Sequence, residues 1–212
     1  MKKRLFRNFY TRPTLEVAKD LLGKYIIRKV GNRKLVGKII ETEAYIGPKD
    51  KASHAFGGKI TPRNKAEYLK GGHIYIYLVY GMYWQMNIST YKSGKPECVL
   101  IRAIEPVLND YKIKNQISKM NKFLASESKN TNQKLKLTNG PGKLCRWLKL
   151  NKSFYGEDLT KSKRIWLEDR GEKISPSQIL ATARIGIDYA GPYWSKRKWR
   201  FLIKDFKKYL AK

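Results

Sequence analysis

The stretch His73-Ile-Tyr-Ile-Tyr-Leu-Val-Tyr-Gly-Met-Tyr-Trp-Gln-Met-Asn-Ile88 decides the fold. His73, Tyr75, Tyr77 and Val79 alternate with Ile74, Ile76, Leu78 and Tyr80, the period-two pattern of a strand with two unlike faces. Gly81 then permits a tight turn into Tyr83–Ile88, which predicts a β-hairpin with Tyr80 at or near its tip. On the N-terminal side, Tyr25–Val30 and Lys34–Ile46 read as strands split by a Gly31-Asn32 turn. The second of these places Ile39, Glu41, Glu43 and Tyr45 on one face, with Val36, Ile40 and Ala44 on the other. On the C-terminal side, Cys98–Ile104 is a strand that is apolar except for Arg102, and Pro106 ends it. Helices are fewer. One runs from a Thr14 cap to Leu22 with Gly23 as its stop, and one from Thr61-Pro62 to about Lys70, closed by Gly71-Gly72. A third follows Asn139-Gly-Pro-Gly142, with Leu144, Trp147 and Leu148 as its apolar contacts.

The chain has 212 residues, suited to one domain or at most two small ones, and 42% of them are apolar, so a real core is expected. Charge is the anomaly: 46 Lys+Arg against 17 Asp+Glu give a net +29. Such a field attracts polyanions, nucleic acid first and an anionic membrane surface second. No apolar run approaches the length of a bilayer span, and Met1-Lys2-Lys3-Arg4 leads into mixed sequence without the apolar region of a signal peptide. A protein that is not secreted is expected, cytoplasmic or nucleoid-associated in a prokaryote and nuclear in a eukaryote. Cys98 and Cys145 belong to no CxxC pair, and with only His54 and His73 beside them they read as buried thiols rather than metal ligands. Residues 111–137 carry seven Lys and one Glu and read as a solvated basic helix or loop. The last eighteen residues add eight Lys+Arg around Trp199, Phe201, Leu202 and Phe206.

Against this charge the scarce carboxylates stand out, three of the 17 falling between Glu41 and Asp50. Carboxylates facing a polyphosphate weaken its binding, so one kept there needs another task. A carboxylate beside aromatic rings can accept a proton from water and place its charge under a developing cation, as glycosidic cleavage requires. Pairing of Glu41 and Glu43 with Lys or Arg on the strand face is the plainer reading, and the spacing ranks neither carboxylate above the other. Tyr45, His54 and Tyr77 can line a slot for a base taken out of a duplex, although tyrosines at period two also simply form a half-buried sheet face. Tyr80 beside a turn glycine resembles a wedge that fills the gap left by an extruded nucleotide. Arg102 in an apolar run needs a carboxylate or phosphate partner.

Longer blocks carry a resemblance. They are Glu41-Thr-Glu-Ala-Tyr-Ile-Gly-Pro48, Ser53-His54, Gly57-Gly58, Thr61-Pro-Arg-Asn64, Tyr75-Ile-Tyr-Leu-Val-Tyr-Gly-Met-Tyr83, Met86-Asn-Ile-Ser89 and Val99-Leu-Ile-Arg-Ala-Ile-Glu-Pro106. Asn139-Gly-Pro-Gly-Lys-Leu-Cys145, Asn151-Lys-Ser153 and Arg184-Ile-Gly-Ile-Asp188 follow in order. Together they closely resemble the methylpurine (alkyladenine, 3-methyladenine) DNA glycosylase family over nearly the whole chain. The resemblance implies an α+β fold: a single compact domain over residues 1–212, a mainly antiparallel curved sheet with surrounding helices, and a β-hairpin projecting into the DNA minor groove. Position by position it implies Glu43 as the general base that activates water and Arg102 as the residue that helps position that water. Tyr45, His54 and Tyr77 resemble the residues that sandwich the flipped purine, and Asn87 the one that discriminates against the exocyclic amine of guanine. Tyr80 resembles the intercalating residue, with Met82 and Lys59 as further DNA contacts. Lys59 sits where relatives often carry Arg, which exchanges a bidentate phosphate contact for a point charge. No cofactor, metal or obligate protein partner is implied; the partner is damaged duplex DNA, bound by a monomer. A purine alkylated at N3 or N7 is cationic and leaves with little acid assistance, whereas a neutral purine such as hypoxanthine needs protonation. A non-catalytic nucleic-acid binder explains the composition equally well, but not the order of the blocks.

Overall fold

A computed structural model describes residues 2–107 and 138–209 of the chain, so the predicted basic segment 111–137 lies outside the described residues. In chain order the elements are β1 (Lys3–Arg4), α1 (Arg7–Tyr10), α2 (Thr14–Asp20), β2 (Tyr25–Val30), β3 (Arg33–Ile46), β4 (Ile74–Val79), β5 (Tyr83–Ser89) and β6 (Glu97–Pro106). They continue with α3 (Pro141–Trp147), β7 (Ile165–Asp169), β8 (Ile179–Thr182), α4 (Pro192–Ser195) and β9 (Arg200–Ile203). The nine strands form one antiparallel sheet in the order β1-β7-β2-β3-β6-β5-β4, with β9 joining β3 to β8. This is an α+β architecture, as expected.

Fourteen residues long, β3 organises the sheet. Along one edge it pairs with β6 from Gly37 to Ile46. Along the other it pairs with β2 over Arg33–Lys38 and then with β9 over Glu41–Glu43. The exchange of partners coincides with a break in register, where Ile39 opposes Ile104, Glu41 opposes Ala103 and Thr42 opposes Ile101. Ile40 and Arg102 are passed over in the pairing, and such irregularities bend and twist a sheet locally. From Ile39 to Ala44 every residue is buried, so the expected alternation gives way to a strand covered on both faces. One face meets Val17 and Ala18 of α2, Leu21 just after it, Leu144 of α3 and Leu148 just after that helix, which share a core with Ile40, Ile76, Met86, Ile88, Val99 and Ile101. Thr42 fastens α2 to β3 by donating its hydroxyl to the Ala18 carbonyl at 2.8 Å.

The hairpin forms as predicted, Ile74 opposing Ile88 and Val79 opposing Tyr83, which leaves Tyr80, Gly81 and Met82 as its loop. Tyr80 and Gly81 both take positive φ, at 52° and 69°, and Tyr80 is 86% exposed. Gly47-Pro48 ends β3, through a cis peptide bond. Two expectations need correction. Thr14 does not cap its helix: Pro13 is the cap, and the Thr14 hydroxyl is bonded inside the fold to Thr90 at 2.7 Å and to the Glu97 carboxylate. The helix foreseen from Thr61 to Lys70 is only a 3-10 turn over Lys65–Tyr68, because Asn64 ties down the approach to it. Its side-chain oxygen accepts from the Thr61 amide at 2.7 Å, and its amide nitrogen donates to the His54 and Lys59 carbonyls. Within the basic C-terminal stretch, β9 enters the sheet and Arg200 is buried.

No helix among the described residues is long and apolar enough to cross a membrane. The start of β4 is held by close backbone approach: a Cβ added at Gly71 meets the carbonyl group of Tyr10, backbone that cannot swing aside. Gly71→Ala is therefore expected to lower unfolding stability by about 1–3 kcal/mol. Urea denaturation followed by far-UV circular dichroism measures it; an unchanged midpoint contradicts the close approach.

Candidate active site

The two carboxylates that spacing left unranked have different surroundings. Glu41, 1% exposed, lies between two guanidinium groups, Arg102 Nε at 3.2 Å and Arg200 Nε at 2.5 Å, and both reach the same oxygen. Glu43 is fully buried, and its Oε2 accepts the Tyr45 hydroxyl at 2.8 Å. Its Oε1 accepts the Ile185 amide at 2.9 Å and stands 3.3 Å from Arg102 Nη1. Burial works against the charge of Arg102, but Glu43 and then Glu41 outweigh it and hold its pKa above the ordinary guanidinium value. Desolvation first and Glu43 second push the Tyr45 phenol well above its usual value, so it stays a hydrogen-bond donor. A third buried pair stands alongside, Asp50 with Arg184, at 2.5 and 2.9 Å through both nitrogens. The Arg184 guanidinium also lies 4.6 Å from the centre of the Tyr45 ring, which links this pair to Glu43. Three carboxylates thus face three guanidinium groups.

Above this layer opens a cleft of about 570 Å³, lined by Tyr45, His54, Tyr77, Tyr80, Asn87 and Arg102 among others. Glu43 itself lies beneath the lining, behind Tyr45, Arg102 and Ile185. The His54 and Tyr77 rings meet edge to face with centroids 4.6 Å apart, too close to admit a base between them. They form one wall of the cleft rather than two leaves around a base. His54 Nδ1 lies 2.7 Å from the Tyr75 hydroxyl, while the rest of the ring is open to the cleft. The cleft wall desolvates it, and Arg63 adds repulsion, lowering its pKa to about 4, so it is neutral at physiological pH. Tyr77 donates to Gln85 at 3.0 Å. Asn87 is buried, its amide nitrogen bonded to the Tyr75 carbonyl at 3.3 Å and its oxygen 3.8 Å from the Cys98 thiol. Desolvation raises that thiol well above its usual pKa, and Cys145, also free and buried, is raised to about 12, so both are inert structural thiols.

Tyr80 lines the mouth of the cleft, and Met82 projects beside it, 63% exposed. Lys59 is exposed and stands outside the lining; its carbonyl, not its ammonium, is held in place, by Asn64 and Tyr68. Several lining residues went unnoticed in sequence. Arg63 lies 5.2 Å from the centre of the Tyr77 ring, Tyr189 donates to the Ala52 carbonyl, and Glu67 is buried at the back of the cleft. Arg63 and the Arg184 segment sit inside the quoted blocks, a signal that was available; Glu67 carries none. Among the described residues no group of three or more His, Cys, Asp or Glu is placed to hold a metal ion. A second groove of about 620 Å³ near β1 and α2 includes two ion pairs in its lining, Arg12 with Asp20 and Lys24 with Asp169.

A family model described as methylpurine-DNA glycosylase (MPG) matches residues 8–207. The chain belongs to the methylpurine-DNA glycosylase family. A provisionally named 3-methyladenine DNA glycosylase of Clostridium novyi (strain NT) is 47% identical over 212 residues, covering 99% of both chains. Relatives under the same provisional name in Desulfitobacterium hafniense (strain Y51) and Clostridioides difficile (strain 630) are 44% and 43% identical. They are covered over 96% and 99% of their lengths, and cover 96% and 93% of this chain. This methylpurine-DNA glycosylase is accordingly a DNA N-glycosylase, a hydrolase of N-glycosyl bonds in DNA repair. Removing one member of a buried pair in it leaves the other charge uncompensated. Asp50→Ala is expected to cost about 3–5 kcal/mol of stability by orphaning Arg184, as urea denaturation measures, and a loss below about 1 kcal/mol contradicts the pairing.

Proposed function

We propose that the enzyme acts on alkylated purines of the 3-methyladenine and 7-methylguanine type in duplex DNA. The hairpin tip enters the duplex, Tyr80 takes the place of the departing nucleotide, and the purine stacks in the cleft between the His54–Tyr77 wall and Tyr45. Asn87 at the cleft floor presents its amide to the purine edge and disfavours the amine of guanine. Met82 and Lys59 contact the flanking backbone. Glu43 accepts a proton from the attacking water as that water reaches the anomeric carbon, and Arg102 positions the water. The sugar–nitrogen bond breaks, the purine leaves as the free base, and an abasic site remains. One monomer per lesion suffices.

One observation carries this reading: a fully buried carboxylate, Glu43, bonded to three groups that themselves line an aromatic cleft. The surroundings suit the task, because a cation developing at the sugar is stabilised by a carboxylate whose charge is already matched and oriented. Glu43→Gln is expected to lower single-turnover release of 7-methylguanine from duplex DNA by about 10²–10⁴-fold while DNA binding persists. Equal release by both proteins overturns the assignment. Tyr80→Ala is expected to reduce the preference for lesion over undamaged duplex in competition binding, and an unchanged preference removes the wedge.

A further inference from the structure

Glu67 is a buried carboxyl that the proposed mechanism does not use. It is 2% exposed and lies on the short 3-10 turn Lys65–Tyr68 at the back of the cleft, and its Oε2 has no hydrogen-bond partner. Among the described residues no basic side chain neutralises it. The groups that act on it are the hydroxyls of Ser53 and Tyr75, which favour its ionised form, and Asp50, which opposes it. Its own charge is felt by Tyr68, Tyr77, Cys98 and Tyr155. Desolvation dominates and raises its pKa to about 8, so at physiological pH it holds a proton. Tyr75, whose hydroxyl acts on this carboxyl, is buried and stands 2.7 Å from His54 Nδ1, and the His54 ring is open to the cleft. Arg63 is the charged group facing His54. Carboxyl, phenol and imidazole therefore connect a buried proton to the space assigned to the purine.

Resting on the function proposed above, we propose that Glu67, acting through Tyr75 and His54, supplies the proton an uncharged purine needs in order to leave. The Glu67 proton passes to the Tyr75 oxygen, the Tyr75 proton passes to His54 Nδ1, and the His54 Nε2 proton passes to a ring nitrogen of the purine. The electrons of the sugar–nitrogen bond stay with the purine, which departs neutral. Water supplies hydroxide to the sugar, and its second proton goes to Glu43. His54 ends neutral in its other tautomer and Glu67 ends as a carboxylate, which solvent reprotonates. A purine already alkylated at a ring nitrogen leaves as a neutral base without this proton, so Glu67 is a positioning and proton-supplying residue for uncharged lesions only.

The test is single-turnover release of hypoxanthine and of 7-methylguanine from otherwise identical duplexes, from about pH 6 to about pH 9, by the full-length wild type, Glu67→Gln and Tyr75→Phe. For the wild type, hypoxanthine release relative to 7-methylguanine release is expected to fall as pH rises through about 8, where Glu67 loses its proton. Both variants are expected to slow hypoxanthine release at pH 7 about tenfold or more, erase that pH limb, and leave 7-methylguanine release within about threefold. Tyr75→Phe, which leaves the carboxyl in place, carries the test should Glu67→Gln fail to fold. Three results overturn the relay: a pH limb unchanged in the variants, equal slowing of both lesions, or a wild type that releases 7-methylguanine but not hypoxanthine. Release of neither lesion by the wild type overturns the parent reading along with it.

Discussion

A strand that buries two carboxylates two residues apart must bring cations into the same layer, and this requirement shapes the molecule around β3. An unpaired ion in a protein interior costs several kcal/mol, while a pair with good geometry repays most of that cost. Glu41 and Glu43 are matched by Arg102 from β6 and Arg200 from β9, and Asp50 by Arg184. Each guanidinium arrives by a feature of the fold. Arg102 reaches both carboxylates from the position where the β3–β6 ladder skips a residue. Arg200 requires β9 to take over the edge of β3 that β2 has left. Arg184 docks the segment that presents the Ile185 amide to Glu43.

The same balance connects fold to chemistry. With three negative and three positive groups the buried layer is close to neutral, so the net +29 of the chain comes from residues outside it. The part of DNA attraction due to this net charge is sequence-independent and sensitive to salt. In the proposed function the selective part sits where the charge is balanced. Glu41 serves as the shared counter-ion of two arginines, which leaves Glu43 with oriented donors below the aromatic wall. The two carboxylates are thus distinguished by their partners, not by position in the strand.

Much of this was legible in the sequence where the information is local. The hairpin, the placement of Tyr80 at its tip and the shared face of Glu41, Glu43 and Tyr45 all follow from a period of two and a turn glycine. The buried thiols followed from the lack of a CxxC pair and the scarcity of histidine. What was not legible depends on residues far apart in the chain. Asp50 and Arg184 are separated by 134 positions and Glu41 and Arg200 by 159, so neither pairing leaves a local mark. Thr14 was misread because its cap position competes with a tertiary partner, Thr90, that no local pattern reveals. Glu67 carries no local signal in the sequence, and only tertiary packing strips it of water.

Charge balance beneath the cleft is the central claim, and a double-mutant cycle between Glu41 and Arg200 measures it most directly. Glu41→Gln and Arg200→Met each break the three-to-three match, and the double variant restores it at two-to-two. Each single substitution is expected to destabilise the protein by about 2 kcal/mol or more in urea denaturation, and the double variant to recover about half of the summed loss or better. Losses that simply add would contradict it.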